Sequence, residues 1–161
     1  AAAAAAAAAA VVSRGSRSFM TSKEAATSSL TPEALCDRAK DFVNYKNAAG
    51  SGESTLDDVF DMCSLDVDLY GLTGDKVRPG FTAFFKSHDG LHHELLEEPT
   101  FVGDIGPGAV QYPFIKTWND DNNGEPQRWS SIDPDKPRNK VERLEFDGDG
   151  MLARVSVVDL I

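Results

Sequence analysis

The chain has 161 residues and a formal net charge of −10, and 41% of its residues are apolar. This length fits one domain with one core, and the acidic balance argues against nucleic acid as a partner because it repels phosphate. The two cysteines belong to no CxxC motif or Cys/His cluster, so the sequence predicts no metal site and no cofactor.

The N-terminal segment differs in composition from the rest. Residues 1–23 are rich in Ala, Arg and Ser and contain no acidic side chain, which is typical of an organelle transit segment. We therefore expect a targeting or tethering leader over residues 1–30, for a plastid rather than a mitochondrion. A disordered basic tail is the alternative. The apolar run at residues 1–12 would extend roughly 18 Å as a helix, too short for a membrane core of about 30 Å.

The domain, residues 31–161, begins with a predicted long helix. Thr31-Pro32-Glu33 supplies a hydroxyl cap, a proline at the first helical position and an acid in the first turn. Gly50-Ser51-Gly52 ends this helix. Between these signals an apolar stripe recurs at helical spacing, formed by Leu35, Ala39, Phe42, Val43 and Lys46.

Two shorter helices and one strand are predicted next. Ser54 or Thr55 begins a second helix that ends near Cys63. The alternating residues 66–71 predict a short strand. Residues 75–88 predict a third helix, terminated by Asp89-Gly90, with Val77, Phe81, Phe84 and Phe85 on its apolar face.

After Leu91 the apolar residues recur at every second position, which indicates strands. Asp147-Gly148-Asp149-Gly150 joins the last two as a hairpin turn. Helices followed by a meander of antiparallel strands predict an α+β fold in which a cone-shaped, curved antiparallel sheet wraps around the first helix. The predicted strands are residues 91–102 with an edge or bulge at Pro99, 110–118, 125–131, 139–146 and 151–158.

This pattern resembles the nuclear-transport-factor-two-like superfamily, in its SnoaL-like branch. The likeness rests on residues 71–85, where a turn after the first strand leads into the third helix, and on the hairpin strands at residues 111–114 and 141–147. It covers roughly residues 31–159. The resemblance implies a conical cavity between the sheet and the first helix, and often a dimer built on the open sheet face. Such proteins include cyclases, isomerases, dehydratases and non-catalytic binding or assembly domains, so the fold alone does not choose a function.

Three residues are candidate bases. Asp66 and Asp68 share one face of their strand, and a desolvated carboxylate suits general-base work; the alternative is that this face is solvated. Adjacent histidines in a strand point to opposite faces, so only one of His92 and His93 reaches the cavity. His93 is the catalytic candidate, and an edge histidine is the alternative.

The central strand supplies the other candidates. Tyr112 and Lys116 are predicted to polarise a carbonyl, and Trp118 and Phe114 to line an apolar ligand pocket, with Gln111 on the opposite face as a further ligand-binding candidate. The alternative is packing on the sheet face with the Lys116 ammonium reaching solvent. A second pair, Glu142 and Arg143, is predicted to make cross-strand charge pairs instead of a shared site.

Two functions remain open from the sequence. The first is a non-catalytic accessory or assembly subunit of an organellar complex, or a binder of a small hydrophobic ligand, with protein partners or a homodimer at the sheet face. The second is a cofactor-free isomerase, cyclase or dehydratase acting on a small carbonyl compound. An open cavity with a carboxylate or imidazole near a second polar group favours the enzyme, whereas a cone filled by Phe, Leu and Val favours assembly.

Overall fold

The computed structural model describes residues 30–160. The predicted leader, apart from Leu30, lies outside the described residues, and so does Ile161. Targeting and localisation therefore stay predictions. Within residues 30–160, no helix is both long and apolar enough to cross a membrane.

Helix α1 (Pro32–Ser51) forms as its sequence signals predict. The Thr31 hydroxyl accepts a hydrogen bond from the Ala34 amide at 3.2 Å, and Gly52 ends the helix with a φ of 79°, a left-handed conformation that glycine adopts without steric cost. The predicted stripe is buried in full. It comprises Leu35, Ala39, Phe42, Val43 and Lys46.

Two shorter helices follow, α2 (Asp57–Asp61) and α3 (Val77–Lys86), the latter entered through a 3₁₀ turn at Gly74–Lys76. Helix α3 ends before the predicted Asp89-Gly90 stop, and His88 already belongs to a strand. Gly90, with a φ of 63°, lies where the register of that strand shifts. The glycine therefore marks a bulge in a strand and not the end of a helix.

The described residues form two sheets. In one sheet the strand order is β1-β8-β7-β4-β3, and in the other it is β2-β5-β6. Most pairs are antiparallel, as predicted, but β1 runs parallel to β8, so the curved sheet is mixed. The strands are β1 (Cys63–Leu69), β2 (His88–Leu95), β3 (Thr100–Val102), β4 (Ala109–Tyr112), β5 (Phe114–Asp120), β6 (Pro126–Ser130), β7 (Lys140–Phe146) and β8 (Leu152–Asp159).

Pro113 divides the predicted strand 110–118 between the two sheets. Proline has no amide hydrogen and cannot donate a hydrogen bond to a neighbouring strand. The chain leaves β4 here and enters β5. The Pro113 carbonyl accepts from the Leu96 amide at 3.0 Å, while the Phe114 amide donates to the Ser131 hydroxyl at 2.8 Å. The inward alternation of side chains nevertheless continues across the break, so Tyr112 and Phe114 are both buried.

Helix α1 lies against β2, β3 and β4, and the curved sheets close around it as the predicted cone. The core beneath the helix joins its stripe to buried residues on the inner faces of β4, β7 and β8, such as Val110, Leu144 and Val155. Burial of these apolar side chains is the main stabilising contribution. Toward α3 the packing is incomplete, and a cavity remains.

Candidate functional site

The cavity lies between α1, α3 and the inner faces of strands β2, β5, β7 and β8, and its volume is about 360 Å³. That volume is at the small end of the range for ligand pockets. Most of its wall is apolar, from Leu72, Phe81, Phe84, Phe85, Phe114 and Val157. Its polar lining residues are Lys46, Tyr70, His93, Lys116 and Glu142.

Glu142 is the centre of the polar inner end. Its side chain is 1% exposed, and Lys46 Nζ donates to both of its carboxylate oxygens, at 3.1 and 2.8 Å. The hydroxyls of Tyr70 and Tyr112 each donate to the same carboxylate, and Lys46 Nζ also donates to the Tyr70 hydroxyl at 3.2 Å. We call these four residues the inner cluster. Their charged and hydroxyl groups all have partners within the cluster.

The inner cluster shifts the pKa of each of its four groups. Burial lowers the pKa of Lys46 and outweighs the Glu142 carboxylate, which raises it. Burial alone would raise the pKa of Glu142, but the Lys46 charge and the donated hydrogen bonds lower that pKa to about 2. Burial and the adjacent carboxylate raise the pKa of Tyr70 and of Tyr112 well above the ordinary value. Glu142 is therefore ionised, and both tyrosines keep the protons that they donate to it.

Ordinary periodicity positions two members of the cluster. In β7, Glu142 lies two residues before Leu144, and both are buried, because alternate residues of a strand share a face. Lys46 continues the apolar stripe of α1 by one further turn. The helix and the strand thus bring opposite charges together at the end of their apolar faces.

Tyr70 is positioned by a strained turn. Tyr70 and Gly71 have φ values of 53° and 87°, and Leu69 and Leu72 exchange backbone hydrogen bonds of 3.0 and 2.9 Å across them, as in a type I′ hairpin turn. A left-handed non-glycine residue costs roughly 1–2 kcal/mol. The turn leaves the tyrosine ring 37% exposed while its hydroxyl reaches Glu142 inside.

His93 also lines the cavity and is 6% exposed. Asn47 on α1 fixes its backbone, accepting from the His93 amide at 2.7 Å and donating to the His93 carbonyl at 2.9 Å. The ring stacks on Phe114 with centroids 5.6 Å apart, and Nδ1 is buried without a hydrogen-bond partner among residues 30–160. Burial, assisted by the Lys46 charge, lowers the pKa of His93 to about 3, so the ring is neutral at pH 7.

Lys116 is the cross-strand neighbour of His93, because the two residues are paired in the β2–β5 register. It is half-buried and forms no salt bridge within the described part of the chain. Burial lowers the pKa of Lys116 and outweighs the Glu142 carboxylate, which raises it. We call His93 and Lys116 the outer pair. Both residues line the cavity, and neither side chain has a hydrogen-bond or salt-bridge partner within residues 30–160.

The structure brings together some of the predicted site residues. His93, Phe114 and Lys116 line the cavity, and Tyr112 reaches it through the inner cluster. Trp118, predicted to line the pocket, is not one of the cavity-lining residues; its ring lies beside Lys116 Nζ, with 5.3 Å between the ring centroid and the nitrogen.

Three other predicted residues lie outside the cavity. Asp66 is exposed. Asp68 accepts a hydrogen bond from the Gly71 amide at 2.7 Å and lies 3.5 Å from Arg154, so it stabilises the turn after β1. Gln111 faces the outer side of the sheet, where it accepts from Arg143 at 3.3 Å.

Sequence reasoning missed the centre of the site. It predicted cross-strand charge pairs for Glu142, which is wrong because the side chain is buried against Lys46 of α1. Signals were present: Glu142 shares its strand face with Leu144 and Phe146, and Lys46 belongs to the α1 stripe. A charge inside an apolar repeat predicts a buried, paired group.

A metal centre finds no support in the described residues. No group of three or more His, Cys, Asp or Glu side chains among residues 30–160 is arranged to hold an ion. The one carboxylate in the cavity wall, Glu142, already accepts four hydrogen bonds. The arrangement can instead present an apolar pocket with a neutral imidazole and an ammonium at its wall.

The sequence matches no protein-family model and no curated protein, but solved structures resemble the chain. An NTF2-like protein of unknown function from Exiguobacterium sp. 255-15 has a TM-score of 0.56 at 12% identity, over 76% of this chain and 97% of that one. The BvnE pinacolase from Penicillium brevicompactum has a TM-score of 0.55 at 11% identity, over 79% and 86%. RV0760c from Mycobacterium tuberculosis, in complex with estradiol-17beta-hemisuccinate, has a TM-score of 0.54 at 10% identity, over 79% and 92%.

These likenesses, with the helix-first order and the curved sheet, show that the chain has the nuclear-transport-factor-two-like fold, as the sequence predicted. The solved structures with this fold include an enzyme and a protein of unknown function. The fold therefore defines the scaffold, and the function depends on the residues of the cavity.

Proposed function

We propose that the protein binds a small, mostly apolar molecule in the cavity, with the polar end of that molecule at the outer pair. The observation that carries this proposal is the outer pair, whose side chains have no partner within residues 30–160, in a wall whose other polar groups are paired with one another. Buried polar groups in proteins almost always have hydrogen-bond partners. A molecule in the cavity would supply the partners that His93 and Lys116 lack within the described chain.

The pKa values favour binding over acid–base catalysis. A general acid or base works best when its pKa lies near the operating pH, whereas the pKa is about 2 for Glu142 and about 3 for His93. Both groups hold their protonation state across the physiological range. His93 is suited to fixing the orientation of a bound molecule, whereas the Glu142 carboxylate is taken up by the inner cluster.

A cofactor-free enzyme acting on a small carbonyl compound is the second candidate. The observation that favours it is Lys116, whose pKa is lowered by burial and whose ammonium is free to donate to a carbonyl oxygen. The BvnE pinacolase shows that this fold is used by an enzyme. Turnover of a carbonyl compound that is lost in Lys116→Met would favour this candidate over binding alone.

The accessory-subunit role and a partner at the sheet face stay predictions. The outer face of the five-stranded sheet carries charged residues, including Arg143, Arg154 and Asp68. The native mass of the protein from its source tests this role. Co-migration with a larger complex would support it, and a free monomer or dimer would count against it.

The binding proposal is tested by calorimetry with 2-naphthamide, a neutral and mostly apolar probe. Val157 lines the cavity, while Val158 lies on the opposite face of β8. We expect saturable binding to the wild type and to Val158→Trp, and at least about tenfold weaker binding to Val157→Trp, a loss of roughly 1.4 kcal/mol. Equal binding of 2-naphthamide to both variants would refute the proposal, and so would a wild type that binds neither 2-naphthamide nor 2-naphthoate saturably.

A further inference from the structure

We infer that the molecule bound in the cavity is a monoanion, a small apolar carboxylic acid whose carboxylate pairs with Lys116. This inference rests on the proposed function and specifies its ligand class. It begins from the charges in the cavity wall. Those charges are two ammonium groups, Lys46 and Lys116, and one carboxylate, Glu142.

The Glu142 carboxylate is not available to Lys116. Lys46 donates hydrogen bonds to both of its oxygens, and the hydroxyls of Tyr70 and Tyr112 each donate one more. The outer wall of the cavity therefore has an uncompensated positive charge, in a chain whose net charge is −10. An unpaired charge in apolar surroundings is costly unless a partner is supplied.

Aromatic rings surround the Lys116 ammonium. Its nitrogen lies 5.5 Å from the ring centroid of Phe84, 5.3 Å from that of Trp118 and 5.5 Å from that of Trp129. These distances are in the range of cation–π attraction. The rings restrict the ammonium and remove water from it, so the charge is held at the wall of the cavity.

Lys136 provides a contrast on the same aromatic ring. Its nitrogen lies 5.1 Å from the Trp129 centroid, but it is also 3.6 Å from the Asp133 carboxylate and donates to the Ser130 carbonyl at 2.9 Å. Lys136 thus has the polar partners that Lys116 lacks in the described structure. The difference assigns a ligand role to Lys116 and not to Lys136.

The available hydrogen-bond donors favour a carboxylate over other charged groups. Besides the three ammonium hydrogens of Lys116, the neutral His93 ring offers one N–H, enough for one carboxylate. A dianionic phosphate would leave negative charge without a partner. A cationic ligand is disfavoured because Lys116 already occupies the faces of the surrounding rings and would repel it.

The experiment compares two probes of the same shape, 2-naphthoate and neutral 2-naphthamide, by calorimetry at pH 7. We expect the wild type to bind 2-naphthoate at least about tenfold more tightly than 2-naphthamide, since charge-assisted hydrogen bonds are roughly twice as strong as neutral ones. Lys116→Gln should abolish this preference, because it removes the charge that distinguishes the two probes. Lys116→Arg should retain the preference, and so should the control Lys136→Gln.

The outcomes separate the two proposals. Equal affinity for both probes in the wild type, or a preference for 2-naphthoate that survives Lys116→Gln, would overturn the assignment of a carboxylate ligand while leaving the binding site in place. Tighter binding of 2-naphthyl phosphate than of 2-naphthoate would also overturn it. Failure of both naphthalene probes to bind the wild type would instead refute the proposed function.

Discussion

The inner cluster and the outer pair differ in how their polar groups are satisfied. In the inner cluster the carboxylate of Glu142 receives hydrogen bonds from Lys46, Tyr70 and Tyr112. In the outer pair, on β2 and β5, the buried His93 Nδ1 lacks a partner and Lys116 lacks a counter-ion within residues 30–160. The difference suggests a division of roles, in which the inner cluster fixes the cone and the outer pair contacts the bound molecule.

The largest expected effect on stability is at Lys46. The variant Lys46→Met leaves the Glu142 carboxylate buried without a counter-ion, which is expected to lower the free energy of unfolding by about 3–5 kcal/mol. Urea denaturation measures the loss. The matched control is Lys40→Met on the same helix, because the Lys40–Glu98 pair is exposed to solvent.

A double variant tests whether the unpaired Glu142 carboxylate causes the loss. Adding Glu142→Gln to Lys46→Met should restore part of the lost stability, since a neutral amide costs less to bury than a carboxylate. If Lys46→Met is no more destabilised than Lys40→Met, the inner cluster does not stabilise the fold.

A smaller loss is expected at Tyr112. Tyr112→Phe removes one hydroxyl that donates to the ionised Glu142, and a hydrogen bond to a charged group contributes about 1.5–3 kcal/mol. The control Tyr45→Phe alters a tyrosine that is 36% exposed on α1 and should leave the urea midpoint unchanged. Equal midpoints for the two variants would show that the Tyr112 hydroxyl contributes nothing to the cluster.

His93 makes stability depend on pH. Its pKa is about 3 in the folded protein, against an ordinary value of 6.5, so between these values the unfolded chain binds more protons and stability falls as the pH falls. The loss between pH 7 and pH 5 attributable to this group is about 2 kcal/mol. We expect His93→Leu to abolish that part of the pH dependence, measured by urea denaturation at the two pH values.

The neighbouring His92 provides the control, because it is exposed on the opposite face of β2. His92→Gln should keep the wild-type slope. Glu142, with a pKa of about 2, stays ionised in the folded state over this interval, so its own loss of stability falls mainly below pH 4.5. An unchanged slope in His93→Leu would mean that the imidazole is not desolvated.

The smallest effect on stability is expected at Lys116. Lys116→Gln removes the cation–π contacts of the ammonium and also its unpaired, desolvated charge. Because these two effects have opposite signs, the free energy of unfolding should change by less than about 1 kcal/mol. The same variant should weaken binding of 2-naphthoate by about tenfold. A loss of stability comparable to that of Lys46→Met would show that Lys116 stabilises the fold. The inner cluster and the outer pair would then not differ in role.

The sequence was sufficient for the local features of the fold. The cap at Thr31, the α1 stripe and the hairpin at Asp147-Gly150 depend on residues a few positions apart, and each forms as predicted. The parallel β1–β8 pair joins distant segments, and the division at Pro113 depends on which strands lie beside it. Such choices depend on tertiary packing, which local periodicity does not encode.

For the site, the sequence predicted some of the residues but not which side chains contact one another. Lys116 and His93 were recognised as candidates, and the register of β2 against β5 makes them neighbours. Lys46 and Glu142 lie 96 positions apart, so their pairing follows from the closure of the cone and not from either segment. Tyr70 joins them only through the left-handed turn after β1.

The most direct test of the central claim is a titration of ¹⁵N-labelled protein with 2-naphthamide, followed by amide chemical shifts. We predict saturable shifts at residues in the cavity wall, including Phe84, His93 and Lys116. Shifts centred on Gln111 and Arg143, on the outer face of the sheet, would contradict the claim that the cavity is the binding site. Shifts that grow linearly without saturating would contradict it equally.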